Sequence, residues 1–303
     1  MMRQFDQVAS LKEALAKWKS AGERVALVPT MGNLHAGHLS LVALAKNKAD
    51  RVVVSVFVNP LQFGPSEDFD RYPRTYEQDC VSLQEARADA VFAPSVDEMY
   101  PNGQVQTLVT VPEALTGMLE GAARPSHFDG VTTVVTKLFN MVQPDVAVFG
   151  QKDFQQLAVL KRMVQDLSMP IELVCAAIKR DADGLALSSR NQYLSESERR
   201  IAPTLFKVLQ SVRRAIESHN LDQKPDDDRA DDDKADDGNA DDFSALEASA
   251  KEALLSKGFD AVDYVRILQA DTLQPAKPTD RDKVIVAAAR LGRTRLLDNV
   301  LVS

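Results

Sequence analysis

Two hydrophobic periodicities alternate along residues 8–180. Short runs that are almost wholly apolar, Arg24–Pro29, Arg51–Val58, Ala90–Ala93, Asp145–Gly150 and Ile171–Ala177, predict strands covered on both faces, as parallel strands are. Between them the apolar positions recur every three or four residues, the spacing of one helical stripe. They are Leu11, Leu15 and Trp18 within 8–21, the stretch from Leu39 to about Ala49, Thr75–Ala88, Val131 to Val142, and Phe154 to Leu167. Gln104–Val111 alternates and reads as an additional β segment. Strand and helix in alternation predict an α/β domain, a Rossmann-like doubly wound parallel sheet. Ligands of such sheets bind beyond the C-terminal strand ends, where Met31–His38, Asn59–Gly64 and Gly150 all fall.

After residue 180 the pattern changes to a polar loop, Asp181–Asn191, and a long helix, Ser195–Ser218. A further helix, Phe243–Lys257, and strand-like runs at Val262–Leu268, Lys283–Ala289 and Leu296–Val302 complete a smaller C-terminal α+β domain. The expected division is 1–180 and 181–303.

Charge changes this picture in one place. The formal net charge is −8, and residues 226–242 alone carry ten Asp against Arg229 and Lys234, so the remainder is balanced. A nucleic-acid-binding surface would need a clustered basic excess and is not expected. The stretch 225–242 has too little apolar surface to order itself and reads as a disordered linker, whose deletion should leave activity and melting temperature nearly unchanged. Cys80 and Cys175 lack metal-ligand spacing and are expected to be buried reduced thiols. No apolar run approaches a membrane span and the N-terminus has no apolar leader core, so a cytoplasmic protein with no membrane partner is expected.

The candidate chemistry lies at strand-to-helix turns. Val28-Pro29-Thr30-Met31-Gly32-Asn33-Leu34-His35-Ala36-Gly37-His38 carries an apolar run into a glycine turn and a helix, placing N–H groups and a positive dipole end where a phosphate can bind. His35 and His38, three apart, share one helical face. Gly150-Gln151-Lys152-Asp153 repeats the arrangement, with Lys152 as a point charge for phosphate and Asp153 as a ribose ligand or helix cap. Leu187-Ser188-Ser189-Arg190 joins two hydroxyls to a guanidinium, a compact phosphate-binding set. The amides Asn59, Gln62 and Gln156 suit the hydroxyl and carboxylate groups of a small organic acid. These residues alone leave open a ligase, a nucleotidyltransferase with a stable nucleotide product, or a nucleotide-binding regulator.

A His-x-Gly-His turn followed about 150 residues later by Ser188-Ser189-Arg190 resembles the paired signatures of the adenylate-forming HIGH/KMSKS class. Taken with Val56–Phe63, Arg71–Thr75, Arg124–Val131, Phe149–Leu157 and Asp183–Leu194, the order of motifs resembles the pantoate–β-alanine ligase family. That resemblance implies condensation of (R)-pantoate with β-alanine at the expense of Mg-ATP, through pantoyl adenylate, with AMP and pyrophosphate released. It implies that Met31, Gly32, Asn33, Leu34, His35, Ala36, Gly37 and His38 line the ATP site, with Gly150, Gln151, Lys152, Asp153, Lys179, Leu187, Ser188, Ser189 and Arg190. His38 is implied as the catalytic proton donor and His35 as a phosphate ligand, aided by Lys152, Ser188, Ser189 and Arg190. Gln62, Gln156 and Asn59 are implied for the organic substrates, with no tightly bound organic cofactor and a homodimeric assembly. Many members of the family carry Glu where this chain has Gln151, and a Gln151→Glu variant is expected to differ only modestly in turnover. Asp79 is a candidate ligand for Mg²⁺.

Overall fold

The computed structural model describes residues 1–65, 67–103, 106–222 and 243–302. The chain divides into two compact units, one of residues 1–179 with 187–189, the other of residues 180–186 with 190–303.

The first unit holds six parallel strands: β1 (Arg3–Phe5), β2 (Val25–Thr30), β3 (Arg51–Val56), β4 (Ala90–Phe92), β5 (Val146–Gly150) and β6 (Glu172–Ala176), in the order β1-β4-β3-β2-β5-β6. Its helices are α1 (Val8–Ser20), α2 (Ala36–Lys46), α3 (Tyr76–Glu85), α4 (Val96–Met99), α5 (Glu113–Thr116), α6 (Leu119–Ala123), α7 (His127–Val142) and α8 (Phe154–Asp166). Period-two alternation sorts each central strand onto two cores. Val25, Leu27, Val53, Ala147 and Phe149 pack on the side of α1, α7 and α8, whereas Ala26, Val28, Val52, Val54, Val146 and Val148 pack on the side of α2. The strand order reverses between β2 and β5, which is the switch point of a doubly wound sheet.

There β2 and β5 part early. They pair only at Ala26↔Val146 and Leu27↔Ala147, although β2 stays with β3 as far as Thr30↔Val56. The backbone of Val25 faces the β5 side, where its carbonyl takes the Asp145 N–H at 2.8 Å, and the Thr30 carbonyl faces β3, taking the Phe57 N–H at 3.1 Å. By alternation Pro29 faces β5, and having no N–H it cannot extend that ladder.

Several expected elements differ. β1 is too short to show a period; it pairs with β4 at the sheet edge. The β3 strand stops at Val56 rather than Val58. α7 begins at His127, four residues before the apolar stripe starts at Val131. The β segment expected at 104–111 is not a strand; its first two positions lie outside the described residues, and Thr107–Val111 is irregular. The backbone there is served by side chains of α7, the Thr133 hydroxyl accepting the Val109 N–H at 3.0 Å and the Thr132 hydroxyl donating to the Val109 carbonyl. Cys175 is exposed rather than buried, because β6 is an edge strand, and Cys80 is half-buried.

In the second unit the helix expected over 195–218 is two: α9 (Glu196–Ile201) and α10 (Thr204–Asp222). Pro203 divides them, since it lacks the N–H that would continue the helical ladder, although Ala202 before it keeps helical angles. With α11 (Ser244–Ser256) they cover an antiparallel sheet of β7 (Ala261–Gln269), β8 (Lys283–Leu291) and β9 (Thr294–Val302). Leu205, Leu209 and Ile216 of α10 and Leu254 of α11 meet Ile267, Ile285 and Val300 of the sheet. The Arg180 guanidinium clasps Asp298 of β9 with two bonds, 2.6 and 2.7 Å, and lies 3.8 Å over the Phe206 ring. The expected linker 225–242 lies outside the described residues. Among the described residues no helix is long and apolar enough to cross a membrane.

Candidate active site

The turn that joins β2 to α2 is held by hydrogen bonds from its own backbone. Gly32 (φ 79°) and Asn33 (φ 50°) are both left-handed, which bends the chain sharply after Met31. The Gly32 N–H donates to the Thr30 hydroxyl at 3.1 Å, and the Asn33 and Leu34 N–H groups donate to the two oxygens of Asp79 at 2.9 and 2.8 Å. The Thr75 hydroxyl adds a bond to the same carboxylate at 3.2 Å. Asp79, at 1% exposure, thus pins the turn, its two oxygens taking three donors; the candidate Mg²⁺ ligand is a holder of backbone in this structure.

His35 is the N-cap of α2. Its Nδ1 accepts the Gly37 N–H at 3.1 Å, and the Nδ1 of His38 accepts the His35 N–H at 3.3 Å, a capping box built from imidazoles. An N–H can only donate, so both rings carry their own proton on Nε2. Burial, with Lys152 adding to it, lowers the His35 pKa to about 4. Burial, and then His35 itself, lowers that of His38 to about 3. Both rings are therefore neutral near pH 7. The sequence led us to expect open backbone donors at this turn. Five N–H groups, those of Gly32, Asn33, Leu34, His35 and Gly37, instead have internal partners. The two Nε2–H groups have no partner among the described residues and are donors left to a ligand.

Two further segments converge on this turn. Ser189 Oγ donates to the Asn33 carbonyl at 3.1 Å, and the Leu187 N–H donates to the Lys179 carbonyl at 2.9 Å. Gly150 ends β5 at the switch point, and the electrostatic influence of Lys152 and Asp153 reaches both histidines. Asp153 makes no cap bond to α8; its carboxylate lies 3.4 Å from the Lys152 ammonium. Arg190 belongs to the second unit, in a short 3-10 turn, Ser189–Tyr193.

Two of the three amides, Gln62 and Asn59, meet beside Met31. Gln62 Nε2 donates to Met31 Sδ at 3.2 Å, and Gln156 lies half-buried in the first turn of α8. Asn59, at 1% exposure, has every polar atom engaged. Its Nδ2 donates to Gln62 Oε1 (3.1 Å) and the Gly130 carbonyl (3.0 Å), and its Oδ1 accepts from the Tyr100 hydroxyl (2.7 Å) and the Leu61 N–H (3.3 Å). Asn59 therefore positions Gln62 and has no group left for a substrate. Reading the sequence missed the groups that hold these residues in place. Asp79 was considered only as a metal ligand, and Arg124 and His127 had no assigned role; no spacing links them to the turn, and only the fold brings them there.

Comparison with known proteins fits this geometry. The family model described as pantoate-beta-alanine ligase matches residues 3–301. A protein of Hydrogenovibrio crunogenus named pantothenate synthetase is 59% identical over 299 residues, covering 99% of both chains. The crystal structure of pantothenate synthetase from Thermus thermophilus superposes with a TM-score of 0.86 at 44% identity, covering 99% of both chains. That of pantoate-beta-alanine ligase from Francisella tularensis, complexed with a β,γ-ATP compound and β-alanine, gives 0.77 at 30% identity, covering 99% of this chain and 98% of that one. A six-stranded doubly wound sheet with paired imidazoles at its switch point, and a family match over nearly the whole chain, make one conclusion: the chain is an enzyme of the pantoate-beta-alanine ligase family.

Proposed function

We propose that this ligase makes pantothenate in two steps at the switch point of its parallel sheet. A carboxylate oxygen of pantoate attacks the α-phosphorus of ATP, the bond from that phosphorus to the bridging oxygen breaks, and pyrophosphate leaves with the Mg²⁺ that accompanied the nucleotide as part of the substrate. The amine of β-alanine then attacks the acyl carbon of pantoyl adenylate, the bond from that carbon to the phosphate oxygen breaks, AMP departs, and the nitrogen releases its proton to water as the amide forms.

Attack of one anion on another requires that their charges be offset. The Nε2–H groups of His35 and His38 and the ammonium of Lys152 supply donors toward the phosphates, with the hydroxyls of Ser188 and Ser189 and the guanidinium of Arg190 completing the set. In the free enzyme His38 is neutral, so its first contribution is a hydrogen bond through Nε2–H rather than a transferred proton. Gln62 and Gln156 hold the hydroxyl and carboxylate groups of pantoate.

The observation that supports this reading most directly is the 3.2 Å contact between Gln62 Nε2 and Met31 Sδ. It sets the amide for the acid against the turn for the nucleotide, the proximity that an acyl–phosphate condensation needs. Resemblance to the family further supports a cytoplasmic homodimer. The test of the chemistry is to supply ATP with pantoate, with and without β-alanine. Pyrophosphate exchange that needs only pantoate, together with AMP release that needs β-alanine, is expected. Pyrophosphate release with other acids alone, or no turnover at all, overturns the proposal.

A further inference from the structure

Gln62 is held from behind as well as from the side. His127, at 8% exposure, opens α7, and its Nδ1 lies 2.8 Å from the Gln62 carbonyl oxygen. A carbonyl only accepts, so the proton is on Nδ1. The other ring nitrogen, Nε2, lies 3.0 Å from Arg124 Nη1, and a guanidinium only donates, so Nε2 is the acceptor. The two contacts independently require the same neutral tautomer. Arg124 Nη2 also reaches the Gln62 carbonyl at 3.3 Å. The far side of that guanidinium is gripped by both oxygens of Glu67, at 2.8 and 2.5 Å, in the fork geometry of a strong pair.

The helix beneath is brought close by Gly130, where a Cβ would collide with the Leu61 carbonyl and stand 2.6 Å from the Gln62 nitrogen. With Asn59 on the side-chain amide, Gln62 is fixed at both its backbone and its tip.

We infer that Glu67, Arg124 and His127 form a positioning relay that sets the backbone of Gln62, and so tunes binding of the hydroxy-acid substrate while leaving the nucleotide side alone. None of the three need touch substrate. The inference rests on the assignment of Gln62 to pantoate. It also gives the loop after Phe63 a purpose: Glu67, from that loop, orients the guanidinium that orients the imidazole.

The test uses the full-length enzyme and steady-state kinetics with pantoate and ATP varied separately. His127→Leu removes the donor while keeping bulk, and is expected to raise the pantoate KM about tenfold, with the ATP KM within about twofold. His127→Asn, whose Nδ2–H can occupy the place of Nδ1–H, is expected to restore most of that loss. Glu67→Gln, which changes no helix residue, is expected to raise the pantoate KM about threefold and keeps the relay testable should His127→Leu fail to fold. A rise in both KM values together, or no rescue by His127→Asn, overturns the relay. Gln62→Ala separates the two levels. A large effect of Gln62→Ala with silence from His127→Leu and Glu67→Gln overturns the relay alone. An unchanged pantoate KM in Gln62→Ala overturns the assignment of Gln62, and the relay with it.

Discussion

His35 and His38 cap the same helix with their rings 4.1 Å apart, each turning Nδ1 toward a backbone N–H and keeping its proton on Nε2. The cap and the proposed chemistry thus fall on opposite nitrogens of one ring, and substitution can separate them. His38→Asn keeps an acceptor near the Nδ1 position and loses the distal donor. It is expected to keep the melting temperature close to that of the parent while lowering pantoate-dependent pyrophosphate exchange roughly 10²–10³-fold. His38→Ala should lose both, and near-normal exchange in either variant would refute the role given to His38.

Acid should destabilise the fold through these same groups. Burial first, then nearby cations, brings His35 and His127 down to about 4 and His38 to about 3, from an ordinary 6.5. Below pH 6.5 the unfolded chain takes up protons that the native rings refuse, so stability is full above about 6.5 and falls as pH drops toward 4 and then 3. Urea midpoints measured from pH 8 to pH 4 should show this decline, and it should be shallower in His127→Asn. A midpoint that rises on acidification contradicts it.

Asp79→Asn supplies one carbonyl where two backbone N–H groups need acceptors, and turns an amide N–H toward one of them. Loosening of the Gly32–Leu34 turn is expected to raise the ATP KM about tenfold, with the pantoate KM little changed. Extra Mg²⁺ should not restore the parent KM. Restoration would return Asp79 to the metal-ligand role.

The Arg180–Asp298 pair anchors the loop 180–186, since the same guanidinium also donates to the Gly184 carbonyl at 3.1 Å. Asp298 is 4% exposed, so Asp298→Ala strands a cation in a dry setting and should cost about 3–5 kcal/mol, read as a lower urea midpoint. An unchanged midpoint would mean that water already reaches the pair.

The sheet was legible because its strands alternate between two apolar faces, so Val25–Val28 and Val52–Val54 are unbroken hydrophobic runs. The β2–α2 and β5–α8 junctions were legible as strand-to-glycine-to-helix turns. Irregular connections were not: Thr107–Val111 reads as a strand until the Thr132 and Thr133 hydroxyls are seen to take its backbone. Pro203, a single residue, outweighed an otherwise continuous helical stripe. The groups behind the site were hidden for a different reason. Asp79 lies 46 residues from Asn33, and His127 lies 65 from the carbonyl it holds, so no local pattern reports their partnership.

Pro29 carries a consequence beyond the ladder that it ends. A crevice between two strands can be kept open by a bound molecule, by bulky side chains, or by the covalent absence of a donor. Pro29 supplies the last, so the pairing of β2 with β5 ends at Leu27↔Ala147 with no donor there to carry it further. A ligand of the switch point would then pry no strands apart, and its affinity would not be diminished by that work. Restoring the missing donor, as in Pro29→Ala, would remove that bar to further pairing.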